Sequence, residues 1–94
     1  MTRQYLIGEL SVRLGQLQSV AVGGEVRDVT RLRYEVENGG TGGLGPAAER
    51  AIELADILCW RSLARGDVAA FSSQAGISAE LRLFGTCARL LSDG

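Results

Sequence analysis

The sequence predicts an all-α fold, a small four-helix bundle in which two antiparallel hairpins are joined by a glycine-rich loop. Four separate segments carry apolar residues every three or four positions, which is the spacing of one helical face. The glycine-rich stretch divides the chain into halves of similar length, and the connections are short enough for antiparallel neighbours. The 94 residues are 46% hydrophobic and 22% charged, which is typical of a single folded domain.

The first predicted helix runs from about Arg3 to Ala21. Its apolar stripe has spacings of three and four, with Leu6 beside it: Ile7, Leu10, Leu14, Leu17 and Ala21. The opposite side carries small residues at similar spacing: Gly8, Val12, Gly15 and Ser19. Two glycines in a helix cost about 1 kcal/mol each relative to alanine. This side either lets a second helix approach closely or is simply a tolerated exposed face.

Residues 25–37 fit two patterns. Arg31 to Glu37 alternates between charged and apolar side chains, as a strand does. A helical face also fits, through Val22, Val26, Val29, Leu32 and Val36. Opposite charges four residues apart support a helix, and a lone hairpin would leave exposed strand edges. We therefore predict a helix.

Residues 38–45 contain five glycines in eight positions and predict a flexible loop. The loop lacks the lysine and the hydroxyl residue of a phosphate-binding loop. Pro46 then begins the third predicted helix, which extends to Arg65. Gly66 is expected to end this helix, and Asp67 is expected to cap the next one.

The last predicted helix covers residues 68–91 and carries two apolar stripes. Val68, Phe71 and Ala75 form the first stripe, and the second contains Ile77, Leu81, Phe84, Ala88 and Leu91. The stripes lie on roughly opposite sides of a straight helix. We therefore expect a kink or break near Gly76, unless the helix is packed on two sides. Leu83 and Leu90 widen the second stripe.

Trp60 is the only tryptophan, and it falls on the charged side of the third predicted helix. Glu49, Glu53 and Asp56 surround it on the helical wheel. The opposite side is the predicted core face: Ala48, Ala51, Ile52, Ala55, Cys59 and Leu63. A large aromatic among carboxylates is either covered by another element of the chain or anchors a partner. Both alternatives remain open at this point.

The composition limits the function. All ten basic residues are arginine, a bias that we expect of a high-GC bacterial genome, and the net charge is −1. This balance argues against general attraction to nucleic acid or anionic membranes. No apolar run approaches the roughly 18 residues of a membrane span, and no secretory signal is present. We expect a cytoplasmic protein in which Cys59 and Cys87 are reduced, packed thiols.

Catalytic chemistry has little support. The chain has no histidine, which is the usual general base and the commonest metal ligand. Two cysteines do not make a zinc site alone. We therefore predict a non-enzymatic protein without catalytic residues, metal or cofactor.

Residues 71–83, FSSQAGISAELRL, partly resemble the helix-turn-helix of DNA-binding regulators. The matching residues of the first helix and turn are Phe71, Ser72, Ala75, Gly76, Ile77 and Ser78. Arg82 and Gly85 depart from the pattern, because the motif has buried apolar residues there. The resemblance implies a DNA-binding transcriptional regulator that uses residues 68–91, with Ser78, Arg82 and Arg89 as contacts. The acidic pI argues against this alternative.

The preferred prediction is a cytoplasmic protein–protein interaction module, a self-associating regulator or adaptor. A chain of this length buries only about 60–65% of its unfolded surface, so self-association would add to a modest core. We expect a homodimer or a complex with a helical partner protein. The candidate interface residues are Trp60, Ile57, Arg61, Gly8, Val12, Gly15, Leu83 and Leu90.

Overall fold

Helices account for most of the chain in the computed structural model, which describes residues 2–40 and 42–93, without the side chains of Ser92 and Asp93. The helices within these residues are α1 (Arg3–Ser19), α2 (Gly24–Glu37), α3 (Leu44–Ala64) and α4 (Val68–Asp93). No strand occurs in the same ranges. The all-α prediction is confirmed, and the ambiguous segment 25–37 is helical.

The helices form an up-and-down bundle of two hairpins. α1 packs mainly on α2 and α3 mainly on α4, while α1–α4 and α2–α3 contacts close the ring. Within each hairpin, side-chain hydrogen bonds pair residues in opposite order along the two helices: Ser11 with Glu37 and Gln18 with Thr30 in the first, and Glu49 with Arg89 and Ser62 with Gln74 in the second. The hairpins are therefore antiparallel, as predicted. No helix in the described ranges is long and apolar enough to cross a membrane.

The core combines large residues on α1 with small residues on α3. The predicted stripe of α1 is buried through Leu6, Ile7, Leu10, Leu14 and Leu17. Across from it, α3 buries four alanines: Ala47, Ala48, Ala51 and Ala55. Alternating large and small side chains across facing positions lets the layers interdigitate at native packing density.

Gly85 brings α4 close to α3. A Cβ atom at this position would lie 3.0 Å from Cδ1 of Ile52 and 3.6 Å from Cβ of Ala48. At Gly85, α4 therefore lies so close to α3 that an added side chain would require Ile52 to shift. This packing explains why a glycine stands where the helix-turn-helix pattern has an apolar residue.

The start and the core face of α3 differ from the prediction. The helix begins at Leu44 rather than Pro46, and Leu44 and Gly45 are both buried in its first turn. The connecting loop is thus two residues shorter than predicted. Leu63, which was predicted to face the core, is exposed, whereas Leu58 and Ser62 are fully buried. The line of buried alanines continues at spacings of three and four through Leu58 and Ser62 and passes beside Leu63.

α4 is a single uninterrupted helix, so the predicted break near Gly76 is absent. Gly76 is exposed within it. The helix is packed on two sides, against α3 and α1. Its buried residues include two polar side chains in the first half, Gln74 and Ser78, beside the apolar Ile77, Leu81 and Ala88. Because Gln74 and Ser78 occupy core positions, the apolar pattern misplaced the inner face, and Val68 of the first stripe is exposed.

The turn between α3 and α4 follows the prediction. Gly66 has a φ of +76°, a left-handed conformation that favours glycine. The amides of Gly66 and Asp67 donate to the carbonyls of Leu63 and Ser62, which completes a Schellman motif. The Asp67 carboxylate then accepts from the Ala70 amide at 3.1 Å and caps α4.

Candidate interaction surface

The largest exposed aromatic–aliphatic pair on α3 is Trp60 with Ile57. Trp60 is 68% exposed and Ile57 is 46% exposed. Their side chains are neighbours on the helix surface because they are three residues apart. No described element covers Trp60, so the alternative in which the chain itself buries it is wrong. We call the exposed stripe of this helix the α3 outer face: Glu49, Glu53, Ile57, Trp60, Arg61 and Ala64.

The basic end of the α3 outer face is tied to a buried carboxylate. Nη1 of Arg61 and Nη1 of Arg65 lie 3.5 and 3.8 Å from the same Oε2 of Glu25. Glu25 is only 6% exposed, and its other oxygen accepts from the Val22 amide at 3.1 Å. One carboxylate therefore serves two guanidinium groups, which leaves a net positive charge at this end of α3.

At the acidic end of the same face, the paired carboxylates bind side chains of α4. Glu49 accepts a 2.9 Å ion-paired hydrogen bond from Arg89 of α4. Asp56 accepts from Arg82 and, at 2.6 Å, from the Ser78 hydroxyl. Within the described part of the chain, Glu53 makes no hydrogen bond or ion pair. The α3 outer face thus changes from negative to positive along the helix, with Ile57 and Trp60 between the two charges.

Of the three contacts that the helix-turn-helix resemblance implied, Ser78 is buried, and the two arginines are exposed but ion-paired. Ser78 is buried and donates to Asp56, while Arg82 and Arg89 pair with carboxylates of α3. The segment that should contain the turn is continuous helix. The structure therefore shows one helix, and no helix-turn-helix, over residues 68–91.

Leu83 and Leu90 lie on the outer side of α4. They are 63% and 68% exposed, and their spacing of seven residues places them two turns apart on one face. Leu90 also borders a shallow apolar groove between α1 and α4, together with Leu6, Cys87 and Leu91. This is a second apolar area, separate from the α3 outer face.

The small residues of α1 divide between two environments. Gly8 and Val12 are exposed, and a Cβ at Gly8 would meet nothing within 4 Å. At Gly15 a Cβ would lie 2.9 Å from Nη1 of Arg33, so this glycine makes room for an α2 side chain. Arg33 in turn donates from Nε to the Ser11 hydroxyl at 3.1 Å.

The candidate interface residues therefore do not share one surface. Trp60, Ile57 and Arg61 lie on α3, while Gly8 and Val12 lie on α1, which is diagonal to α3 in the bundle. Leu83 and Leu90 lie on α4, between them. Two notable residues were not among the predicted ones. Tyr34 is widely exposed on α2. Glu25 is buried, and it follows Val22 at the three-residue spacing of a helix-capping carboxylate.

The two cysteines are both free, with Cys59 buried and Cys87 half-buried. Burial raises the pKa of the Cys59 thiol, and the neighbouring Asp56 carboxylate raises it further. A thiol with a raised pKa is a poor nucleophile at neutral pH. Among the described residues there is no group of three potential metal-binding side chains.

Fold and surface together define a small up-and-down helical bundle with apolar side chains exposed on each of its helices, including Trp60 and Ile57 on the α3 outer face. No protein-family model, curated protein or solved structure matches this chain.

Proposed function

We propose that this protein is a non-enzymatic interaction module that self-associates through the α3 outer face and acts as a regulator or adaptor. The observation that carries the proposal is the exposure of Trp60 and Ile57 side by side on a regular helix. Tryptophan is among the residues that dominate binding hot spots. Covering about 150 Å² of its apolar surface contributes about 4 kcal/mol to association before entropic costs.

The surroundings of Trp60 support this role. Glu53 precedes it by two helical turns on the same face, and Arg61 follows it directly. An apolar centre within a charged rim is the usual arrangement of a binding hot spot, because the rim excludes water from the anchor. Ala64, one turn further along, is small and exposed, which leaves room for a partner to approach the indole ring.

The position of Trp60 on a long helix also favours binding. α3 has 21 residues and is held along its inner side by a row of buried residues. The backbone under Trp60 is thus ordered before binding, which reduces the entropy lost on association. A rigid, exposed aromatic anchor is an expected feature of an interaction module.

The test is the state of association of the purified protein over a concentration series, measured by sedimentation equilibrium. We expect the wild-type chain to be a dimer at high micromolar concentration and Trp60→Ala to be monomeric with unchanged helicity. Tyr34→Ala is the matched control, because this aromatic is 71% exposed on α2 and should leave the dimer intact. A wild-type chain that stays monomeric at high micromolar concentration contradicts self-association.

A further inference from the structure

We propose that the α3 outer face binds the same face of a second copy, with the two α3 helices antiparallel and a two-fold axis near Ile57. This inference rests on the proposed self-association and specifies its surface and its direction. A two-fold dimer uses the same patch on both subunits, so the patch must be complementary to itself. The α3 outer face meets this condition in its charges.

The charges of α3 are complementary only in the antiparallel arrangement. Glu53 precedes Ile57 by four residues and Arg61 follows it by four, so each lies about 6 Å from the axis along the helix. An axis at Ile57 therefore places Glu53 of each copy opposite Arg61 of the other. A parallel pair would instead bring like charges together, which disfavours it.

Glu53 and Arg61, which would pair across the axis, are not fully neutralised within their own chain. Glu53 has no ion-pair partner among the described residues of its own chain. Arg61 shares the single Glu25 carboxylate with Arg65, and its side chain is 56% exposed. Each copy thus presents one free carboxylate and one incompletely neutralised guanidinium group, and the two-fold axis brings both pairs together.

The apolar residues occupy the centre of this arrangement. The two Ile57 side chains meet at the axis, and each Trp60 ring lies one turn away, against Ile57 of the other copy. A standard interface covers about 800 Å² per partner, which is roughly 15% of the 5199 Å² surface of this chain. One face of a single helix supplies only part of that area. We therefore expect a reversible dimer with a micromolar Kd.

Charge reversal tests the direction of pairing. Glu53→Arg and Arg61→Glu should each raise the dimer Kd about tenfold or more, because each places two like-charge pairs in the interface. An equimolar mixture of the two variants should form a heterodimer with affinity near that of the wild type, since every facing pair is then opposite in charge. Arg27→Glu, an exposed charge on α2, is the control and should leave the dimer unchanged.

These outcomes separate the two proposals. If both single variants dimerise as well as the wild type, or if mixing folded variants restores nothing, the antiparallel arrangement is overturned while self-association stands. A monomeric wild-type protein overturns both proposals. Circular dichroism accompanies each variant, because Arg61→Glu places a second carboxylate beside the buried Glu25.

Disulfide trapping gives an independent answer that does not depend on Arg61. In a Cys87→Ser background, Ile57→Cys should oxidise readily to a covalent dimer, because the two positions meet at the axis. Glu53→Cys should not, since its two copies lie about 12 Å apart along the helices. Equal cross-linking at both positions would indicate parallel helices, and no cross-linking at Ile57→Cys would exclude an axis there.

Discussion

The two faces of α3 differ in side-chain size, and the smaller side chains are on the buried face. The inner face buries some of the smallest side chains in the protein, including Ala51 and Ala55, while the outer face exposes the largest, Trp60. The inner alanines let the leucines of α1 and the backbone of α4 at Gly85 come close. Close helix packing therefore depends on small residues inside, and the large residue outside contributes little to folding.

The polar groups of the two faces differ as well. Ser62 on the inner face is fully buried, and its hydroxyl donates to Oε1 of Gln74 at 2.6 Å. The side-chain amide of Gln74 in turn donates to the carbonyl of Val20 at 3.0 Å. These bonds join α3, α4 and the end of α1 inside the bundle. On the outer face the ion pair of Glu49 with Arg89 is exposed on both sides, and exposed pairs of this kind contribute little to stability.

The largest expected effect comes from truncating a residue on each face of α3. Leu58→Ala should lower the free energy of unfolding by about 2–5 kcal/mol, because it removes a fully buried side chain and leaves a cavity. Trp60→Ala should change it by less than about 1 kcal/mol, although it removes more atoms. Urea unfolding of the monomer at low protein concentration measures both values. A loss from Trp60→Ala as large as that from Leu58→Ala would mean that the tryptophan supports the fold.

The next comparison enlarges one alanine on each face of α3, where the previous one truncated a large residue. Ala51→Leu should destabilise the protein by about 1–3 kcal/mol, because it forces extra volume into a closely packed interface. Ala64→Leu adds the same atoms to the outer face and should stay within about 0.5 kcal/mol of the wild type. Thermal or urea unfolding of the two variants compares them directly. If Ala51→Leu is as stable as Ala64→Leu, the inner face is less tightly packed than the structure shows.

Removing the buried hydroxyl should have a smaller effect. Ser62→Ala deletes a donor to Gln74 and an acceptor of the 3.1 Å bond from Arg65. We expect a loss of about 1–2 kcal/mol in the free energy of unfolding, because the amide oxygen of Gln74 stays buried without its partner. Ser72→Ala, at an exposed position of α4, is the control and should be nearly neutral. A neutral Ser62→Ala would show that the network adds no stability.

The sequence predicted the helical elements well because their apolar residues repeat at helical spacing. It located α1, the turn at Gly66 and the antiparallel hairpins. For α2, the opposite charges four residues apart favoured a helix over the strand that its alternating pattern indicated, and a helix is observed. It failed where buried positions are not apolar. Gln74 and Ser78 occupy the inner line of α4, so the apolar pattern alone suggested a break that does not exist.

The surface was less predictable than the fold. The helical wheel placed Trp60 on the outer face correctly, but whether another element covers it depends on tertiary packing, which periodicity does not specify. The pairing of Arg82 and Arg89 with α3 carboxylates depends on the relative positions of two helices along their axes. Glu25 shows the same limit, because its two arginine neighbours lie on α3, more than 30 residues away in the sequence.

The smallest expected effect concerns Asp56, which lies between the two faces. Asp56→Asn loses an exposed ion pair with Arg82, which is worth less than about 1 kcal/mol, and keeps an oxygen that can accept from Ser78. It also removes a negative charge that raises the pKa of the Cys59 thiol. That pKa should therefore fall, but only part of the way towards the ordinary thiol value, because burial is the larger cause and remains. Thiolate absorbance followed against pH in a Cys87→Ser background measures the change, and Glu53→Gln on the outer face is the control that should leave it unaltered. An unchanged Cys59 pKa in Asp56→Asn would mean that the inner face shields the thiol from the charges at its edge.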